Sequence, residues 1–468
     1  MRDMQDKKRL LGLLCVITIY VVMVGLYSFY VPAWENPDEP AHYLYVKHLA
    51  TTGRPPGPNP VKRVGPYYLG GYVTSPYEWY HPALGYAWPA FMWRIIEAIK
   101  PGSLPVDFPE VALGHPDARG FDRGLFLSTR DKPLDLQPGD KGLILLRFGT
   151  ALLGLPILIA VYLAGTWFYK GDDSLLVLLP SWVLTALIPQ FLFIMGTVRN
   201  DSTNNMMSAL SILILFYILQ PHAEKPFLVA LIAGLCLGLT MLTKSTASFL
   251  LPCALLAVSL SRFSLSVKVR MLIILGLCVL FLTGVYYLAT PETREAFVYN
   301  STHVKIKPEF INFRYILNLI TPFAHMFWAR FGWAGIEVPG YLIWLSSILC
   351  FSGILLTAVI STGWVKSIRI SSDERKQSIF LMTVILANLS LIIYYNLFLT
   401  QPQGRFLFPS MLPFSLLVFW GLHKILGSIK TQLRIPLQWT LFIGVFIYLL
   451  VFNYISLFQA IIPASYVS

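Results

Sequence analysis

The fold of this chain is decided near its start by the stretch LLGLLCVITIYVVMVGLYSFYV, residues 10–31. The stretch carries no charge, follows Lys7, Lys8 and Arg9, and is long enough to cross a hydrocarbon core of roughly 30 Å as one helix. Because no small-residue cleavage site follows it, we expect a retained membrane anchor. The basic residues before it predict a cytoplasmic N-terminus.

The composition of the whole chain agrees with a membrane protein. Of its 468 residues, 56% are apolar and only 13% are charged, which excludes one soluble globular domain as well as a disordered chain. The five cysteines all lie in apolar runs, so a disulfide framework is not expected. The net charge is +12, but the sequence shows no row of lysines and arginines of the kind that binds nucleic acid. We therefore expect no nucleic-acid partner.

Further apolar runs predict an all-α polytopic membrane protein with about eleven transmembrane helices. With this topology the cytoplasmic segments hold 16 basic and seven acidic residues, the excess that the positive-inside rule demands. We therefore expect a multi-pass protein of the cell inner or plasma membrane, with 366–377 inside. After the first span, the predicted spans begin near Leu143, Ser174, Thr203, Phe227, Thr246, Met271, Tyr341, Ser378, Phe406 and Leu437.

Two long loops are predicted on the extracytoplasmic side of a single domain covering 1–468. The first, 32–141, includes the aromatic stretch Pro82–Ile99, which Pro89 and two charged residues interrupt. We place this stretch flat in the membrane interface, because a crossing here would turn the later basic loops to the outside. The second, 291–340, includes a similar interfacial stretch, Phe313–Trp333.

Polar side chains near lipid are costly, and in this topology they gather at the extracytoplasmic mouths of the spans. Pro40 suits the first turn of a helix that runs to Gly53 and places two acids directly above the first span. A carboxylate held there suits removal of a proton from an incoming hydroxyl, although it also suits capping of the helix. The candidates are Asp38, Glu39, His42, His81, Arg147, Arg199, Asn200, Asp201, Lys244, Arg330, Gln403 and Arg405.

Five short motifs in this order resemble the GT-C membrane glycosyltransferases, in particular the protein-mannosyltransferase and lipid A aminoarabinose-transferase group. They are PDEPAHY (37–43), HPALGY (81–86), RND (199–201), TKS (243–245) and QGRFLFP (403–409). The resemblance covers almost the whole chain and implies a GT-C-like fold.

The resemblance also implies inverting transfer of a sugar from a polyprenyl-phosphate carrier to a glycan, lipid or protein hydroxyl. Asp38 matches the catalytic aspartate of the group, with Glu39 beside it positioning the acceptor or a cation, and Asp201 matches the acid across the cavity. His81 departs from the group, which often has lysine before the proline, and this puts a role at the donor phosphate in doubt.

An anionic lipid head needs cations at headgroup depth, and we expect Lys244, Arg405, Arg330 and Arg147 to supply them. The remaining donor-site candidates are His42, His81, Arg199, Asn200 and Gln403. A divalent cation on Asp38, Glu39 and Asp201 is left open, since no ligand spacing is diagnostic.

Other functions remain open from sequence alone. A transporter or a flippase for lipid-linked glycans requires ionisable groups near mid-membrane, whereas these lie at span mouths. An oligosaccharide polymerase or ligase shares the carrier, and a non-catalytic glycan-binding scaffold shares the fold.

Overall fold

A computed structural model describes residues 2–57, 78–105, 132–169, 174–291, 293–295, 306, 310–332, 334–365, 368–427 and 431–466. The predicted loops 32–141 and 291–340 therefore lie partly outside the described residues. The structure is predominantly helical, and its one described sheet is a short antiparallel ladder that pairs Arg330 with Glu337.

The helices follow the apolar runs. We label them α1 (Arg2–Tyr30), α2 (Glu39–Thr52), α3 (Leu84–Ile99), α4 (Asp140–Ala151), α5 (Gly154–Phe168), α6 (Ser174–Leu187), α7 (Pro189–Met195), α8 (Asn200–Ile218), α9 (Pro226–Met241), α10 (Leu250–Leu260), α11 (Leu265–Ala289), α12 (Phe313–Trp328), α13 (Gly340–Thr362), α14 (Ser372–Asn396), α15 (Met411–Gly427), α16 (Thr431–Tyr454) and α17 (Ile462–Ser465), with strands β1 (Arg330–Phe331) and β2 (Ile336–Glu337). Short 3₁₀ turns, Ser245–Phe249 and Gly404–Ser410, precede α10 and α15, and a π-helical turn, Ile455–Ile461, follows α16.

Seven helices in the described part of the chain are long and apolar enough to cross a membrane, and the number is eight if the bent pair α6 and α7 forms one span. The chain is thus a multi-pass membrane protein, but the predicted count of eleven is not confirmed. The other three predicted spans correspond to α8, which is rich in polar residues, and to the shorter helices Pro226–Met241 and Ser245–Leu260.

The bend between α6 and α7 was not predicted. The apolar run predicts one span from Ser174, but Ile188 is extended and Pro189 begins a new helix at an angle of 55°. Proline explains the break, because it lacks the backbone N–H that would continue the hydrogen bonds of α6. Asn453 of α16 compensates by donating to the carbonyl oxygen of Leu187 at 2.8 Å.

Local sequence sets the ends of the helices that carry the site. Pro40 lies in the first turn of α2, and Gly53 ends the helix with φ of 72° and an N–H donated to the Leu49 carbonyl at 2.9 Å. The helix predicted from Glu39 to Gly53 is confirmed. The two stretches predicted to lie in the membrane interface also form helices, α3 and α12.

Candidate functional site

Five charged side chains meet at one end of the helix bundle, and we call them the charged cluster. They come from separate elements: Asp38 precedes α2, Arg199 and Asp201 stand at the start of α8, Lys244 precedes α10, and Arg405 lies in the 3₁₀ turn before α15. Only tertiary folding brings these positions together, since up to 367 residues separate them along the chain.

Asp201 lies at the centre of the charged cluster. Its Oδ1 accepts a hydrogen bond from Lys244 Nζ at 2.6 Å, and its Oδ2 lies 3.5 Å from Arg199 Nε and 3.8 Å from Arg405 Nη1. Burial raises the pKa of Asp201, but the neighbouring cations, Lys244 first, outweigh this and hold the pKa well below its ordinary value. The carboxylate is therefore charged at neutral pH.

Asp38 stands at the open side of the charged cluster. Its Oδ2 lies 3.5 Å from Arg405 Nη2, and its side chain is 27% exposed against 10% for Asp201. Its backbone has φ of 66°, a left-handed conformation that non-glycine residues rarely adopt. Strain of this kind, of order 1–3 kcal/mol, persists where surrounding contacts fix the backbone.

Arg199 supplies those contacts. The side chain is fully buried and donates from Nη1 to Asn36 Oδ1 at 3.2 Å and from Nη2 to the Pro37 carbonyl at 2.5 Å. Burial and the nearby Arg405 lower the pKa of Arg199 to about 10, so it still carries its charge at neutral pH. Arg199 thus holds the turn that presents Asp38.

Glu39 and Arg147 are predicted to bind the acceptor and the donor phosphate, and in the structure they pair with each other. They form an ion pair in which both side chains are 1% exposed, with Arg147 Nε donating to Glu39 Oε1 at 2.7 Å. Arg147 also donates to the carbonyls of Val31 at 2.6 Å and Pro32 at 2.9 Å, and Glu39 accepts from Val198 N at 3.2 Å. Both groups are therefore enclosed and used within the protein.

Arg330 is likewise held by its own hairpin. Its Nη2 lies 3.0 Å from Glu337, and its Nε donates to the Ala334 carbonyl at 2.9 Å. The residue still borders a small cleft that Gln403 and Arg405 also line. Gln403 Oε1 accepts a hydrogen bond from Arg405 Nε at 2.5 Å and so orients that guanidinium.

The two candidate histidines lie near each other, with 6.4 Å between the ring centres, and each has its own hydrogen-bond partner. His42 Nδ1 lies 2.8 Å from Tyr86 Oη, and His81 Nε2 lies 2.8 Å from Glu78 Oε2. Burial holds the pKa of His42 well below its ordinary 6.5, so the ring is neutral at pH 7. Glu78 was missed from sequence, although its position three residues before His81 in a turn is a detectable signal.

Asn200 is fully buried beside the charged cluster, and neither its Nδ2 nor its Oδ1 has a hydrogen-bond partner among the described residues. The α3 segment packs tightly here, because a Cβ on Gly85 would come within 2.9 Å of Asn200 Cβ and 2.6 Å of the Thr243 carbonyl. Thr203 Oγ1 donates to the Gly85 carbonyl at 2.8 Å. The start of α3 is thereby fixed against α8.

The proposed metal ligands do not fit a divalent cation. Within the described ranges no three His, Cys, Asp or Glu side chains form a group able to hold one. Glu39 is engaged by Arg147, and Asp38 and Asp201 both face Arg405. A cationic neighbourhood of this kind repels a second positive charge.

Comparison with known proteins gives a match at the level of the fold. No protein-family model and no curated protein sequence matches the chain. The structure resembles ArnT from Cupriavidus metallidurans bound to undecaprenyl phosphate, with a TM-score of 0.50 and 12% identity over 93% of this chain and 62% of that one. The apo form of the same ArnT gives a TM-score of 0.48 at 11% identity, with coverage of 93% and 62%.

The apo oligosaccharyltransferase of Archaeoglobus fulgidus is more distant, with a TM-score of 0.44 and 11% identity over 94% of this chain and 56% of that one. The chain thus spans less than two thirds of the length of each of these structures. ArnT and the oligosaccharyltransferase are GT-C fold glycosyltransferases. The predicted GT-C-like fold is confirmed by the likeness to ArnT.

Proposed function

We propose that this protein is an inverting glycosyltransferase that moves a sugar from a polyprenyl-phosphate carrier to a hydroxyl acceptor on the extracytoplasmic face. The observation that carries the proposal is the charged cluster, in which the partly exposed Asp38 lies 3.5 Å from Arg405, and Arg405 shares the buried Asp201 with Lys244 and Arg199. Its three cations and two acids leave one positive charge, which suits an anionic headgroup.

The carrier phosphate is bound by Arg405 and Lys244. The charged cluster offers donors for this purpose, because Arg405 Nη1 is buried and makes no hydrogen bond with the described residues. Lys244 Nζ lies 5.2 Å from the ring centre of Phe406, so an apolar surface adjoins the cations where a lipid chain must leave the site. Charge-assisted contacts of this type are shorter and stronger than neutral ones.

Asp38 acts as the general base. In the reaction the acceptor hydroxyl gives its proton to Asp38 Oδ2, its oxygen bonds the anomeric carbon, and the bond from that carbon to the phosphate oxygen breaks on the opposite face. The leaving group departs as polyprenyl phosphate, its charge balanced by Arg405 and Lys244. Asp201 is the positioning residue that orients Lys244.

The orientation across the membrane follows from the distribution of charge in the sequence. The basic excess lies in the segments that we place inside, so the charged cluster faces the outside. A cysteine at Asp135, an exposed position in the first loop, should react with an impermeant thiol reagent added outside intact cells. Labelling of this cysteine only after the cells are opened would contradict the orientation.

Binding of the carrier to the full chain in lipid nanodiscs tests the proposal. Undecaprenyl phosphate should bind, whereas undecaprenol, which has the same chain without the phosphate, should bind at least about tenfold more weakly. Equal binding of the two lipids would refute a phosphate site at the charged cluster.

A further inference from the structure

A second cavity lies away from the charged cluster, between the C-terminal half of α2 and the helix α3. Its volume is about 410 Å³, and the loop that follows α3 closes one side. This volume falls within the roughly 300–1,000 Å³ that is typical of pockets for small molecules. The proposed reaction at Asp38 leaves this cavity without a role.

The described residues that line the cavity carry a net positive charge. Lys47 and Arg94 contribute two cations, and Glu97 is the one acid among the described residues that line it. Glu97 is already engaged, because its Oε2 accepts from Gly102 N at 2.9 Å and its Oε1 from Leu104 N at 3.3 Å. Its carboxylate therefore holds the wall of the cavity and is not free to bind a cationic ligand.

Other lining groups suit a sugar. Trp93 lines the cavity with the 6% of its surface that is exposed, and Tyr43 holds its ring in place with 4.9 Å between the ring centres. Thr51 adds a hydroxyl that donates to the Lys47 carbonyl and can still accept a hydrogen bond from a ligand. Arg94 is fixed by a hydrogen bond of 2.7 Å from its Nε to the Ala50 carbonyl, which leaves its terminal nitrogens for a ligand. Aromatic rings with nearby hydrogen-bond donors recognise amphipathic rings well.

The helix α2 connects this cavity with the charged cluster. Asp38 immediately precedes α2, and Lys47 lies nine residues further along, about 13 Å at a rise of roughly 1.5 Å per residue. One sugar ring is too short to occupy both places. A molecule that occupies both the cavity and the site at Asp38 must therefore be longer than one sugar ring, and an acceptor built of sugars needs several units.

We propose that this cavity binds an acidic sugar, one that carries a carboxylate or a phosphate, within an oligosaccharide acceptor whose reacting hydroxyl lies at Asp38. This inference rests on the proposed function and names the class of acceptor. The cavity selects the acceptor by an acidic group that lies away from the bond being formed. Lys47 and Arg94 bind the negative charge of this group.

Two tetrasaccharides of matched length test the inference by binding to the full chain in nanodiscs of zwitterionic lipid. A hyaluronan tetrasaccharide, which carries carboxylates, should bind at least about tenfold more tightly than neutral chitotetraose. The variant Lys47→Gln should lose most of this difference, and Arg54→Gln, a nearby exposed cation outside the cavity, should keep it. Equal binding of the two sugars, or an unchanged preference in Lys47→Gln, would overturn the inference.

Further measurements distinguish sugar binding from a folding defect and from binding of a lipid headgroup. Because Arg94 also contacts the end of α2, Arg94→Gln is interpreted only if its thermal unfolding matches that of the wild type, and Lys47→Gln stands as the independent variant.

Nanodiscs with phosphatidylglycerol should leave hyaluronan binding intact. Loss of hyaluronan binding in these nanodiscs would assign the cavity to a lipid headgroup and overturn the inference. Equal binding of undecaprenyl phosphate and undecaprenol would refute the proposed function, whereas equal binding of the two tetrasaccharides would refute only this inference, so the two failures are distinguishable.

Discussion

Replacing Glu39 by glutamine should destabilise the protein strongly. The substitution keeps the shape of the side chain but removes the charge that faces Arg147 in a pair where both side chains are 1% exposed. Breaking a buried ion pair by removal of one partner typically costs about 3–5 kcal/mol, because the remaining charge is left uncompensated. The carbonyls of Val31 and Pro32 still accept from Arg147, so we expect a loss near the lower end of that range.

The matched control for this variant is Glu337→Gln. Glu337 also pairs with an arginine, Arg330, at 3.0 Å, but its side chain is 47% exposed. Exposed pairs contribute about 0–1 kcal/mol. Unfolding of the purified protein by denaturant, followed with the same probe for both variants, should therefore show a large loss for Glu39→Gln and a small one for the control.

A double variant sharpens the test. Adding Arg147→Met to Glu39→Gln removes the uncompensated charge, so the double variant should be more stable than Glu39→Gln alone. The assignment of this pair to the protein interior is refuted if Glu39→Gln is as stable as Glu337→Gln, or if the double variant is less stable than Glu39→Gln.

Three further predictions concern the packing, pH response and cations around the site. Gly85→Ala places a Cβ 2.6 Å from the Thr243 carbonyl oxygen, just before Lys244. This variant should lower the free energy of unfolding, measured with denaturant, by about 1–3 kcal/mol. The control Gly276→Ala, whose Cβ meets open space, should not lower it. Burial holds the pKa of His42 in the folded protein below the 6.5 expected in the unfolded chain. Between these two pKa values only the unfolded chain takes up a proton at His42. The free energy of unfolding should therefore fall as the pH drops from about 6.5 to 5, by at most about 1.4 kcal/mol per pH unit. His42→Gln should flatten that part of the curve in thermal unfolding scans, and an unchanged slope would contradict the burial argument. Lys244→Gln should weaken undecaprenyl phosphate binding in nanodiscs at least about tenfold. The control Lys141→Gln, at an exposed position, should bind like the wild type. If Lys244→Gln binds undecaprenyl phosphate with the affinity of the wild type, Lys244 does not belong to the phosphate site.

The helical content could be predicted from sequence because it depends on local signals, whereas the GT-C-like fold was predicted from the resemblance carried by the five motifs and their order. Apolar runs mark helices that can cross a membrane, and proline and glycine mark the ends of α2. The break at Pro189 has the same kind of signal but was overlooked, since the apolar run continues through it. The number of spans could not be fixed, because α8 begins with polar residues that face the protein interior and not lipid.

The roles of neighbouring site residues could not be predicted, because they depend on backbone direction. Asp38 and Glu39 are adjacent in sequence, yet the left-handed conformation of Asp38 is followed by a helix that directs Glu39 toward Arg147. Asp38 instead faces Arg405. Similarly, no local pattern shows that Arg330 is held by Glu337, since that contact requires the hairpin to form.

The assignment of Asp38 as the general base is tested by the rate of sugar transfer in the variant Asp38→Asn. Purified wild type and variant would be supplied with synthetic undecaprenyl-phosphate sugars and an extract of cell-envelope glycans, and release of undecaprenyl phosphate would be followed with time. Asparagine keeps the size of the side chain but cannot take the proton, so release should fall by about 10²–10⁴-fold while carrier binding stays unchanged. The exposed Asp135→Asn should behave as wild type. Near wild-type release by Asp38→Asn would contradict the assignment of Asp38 as the base.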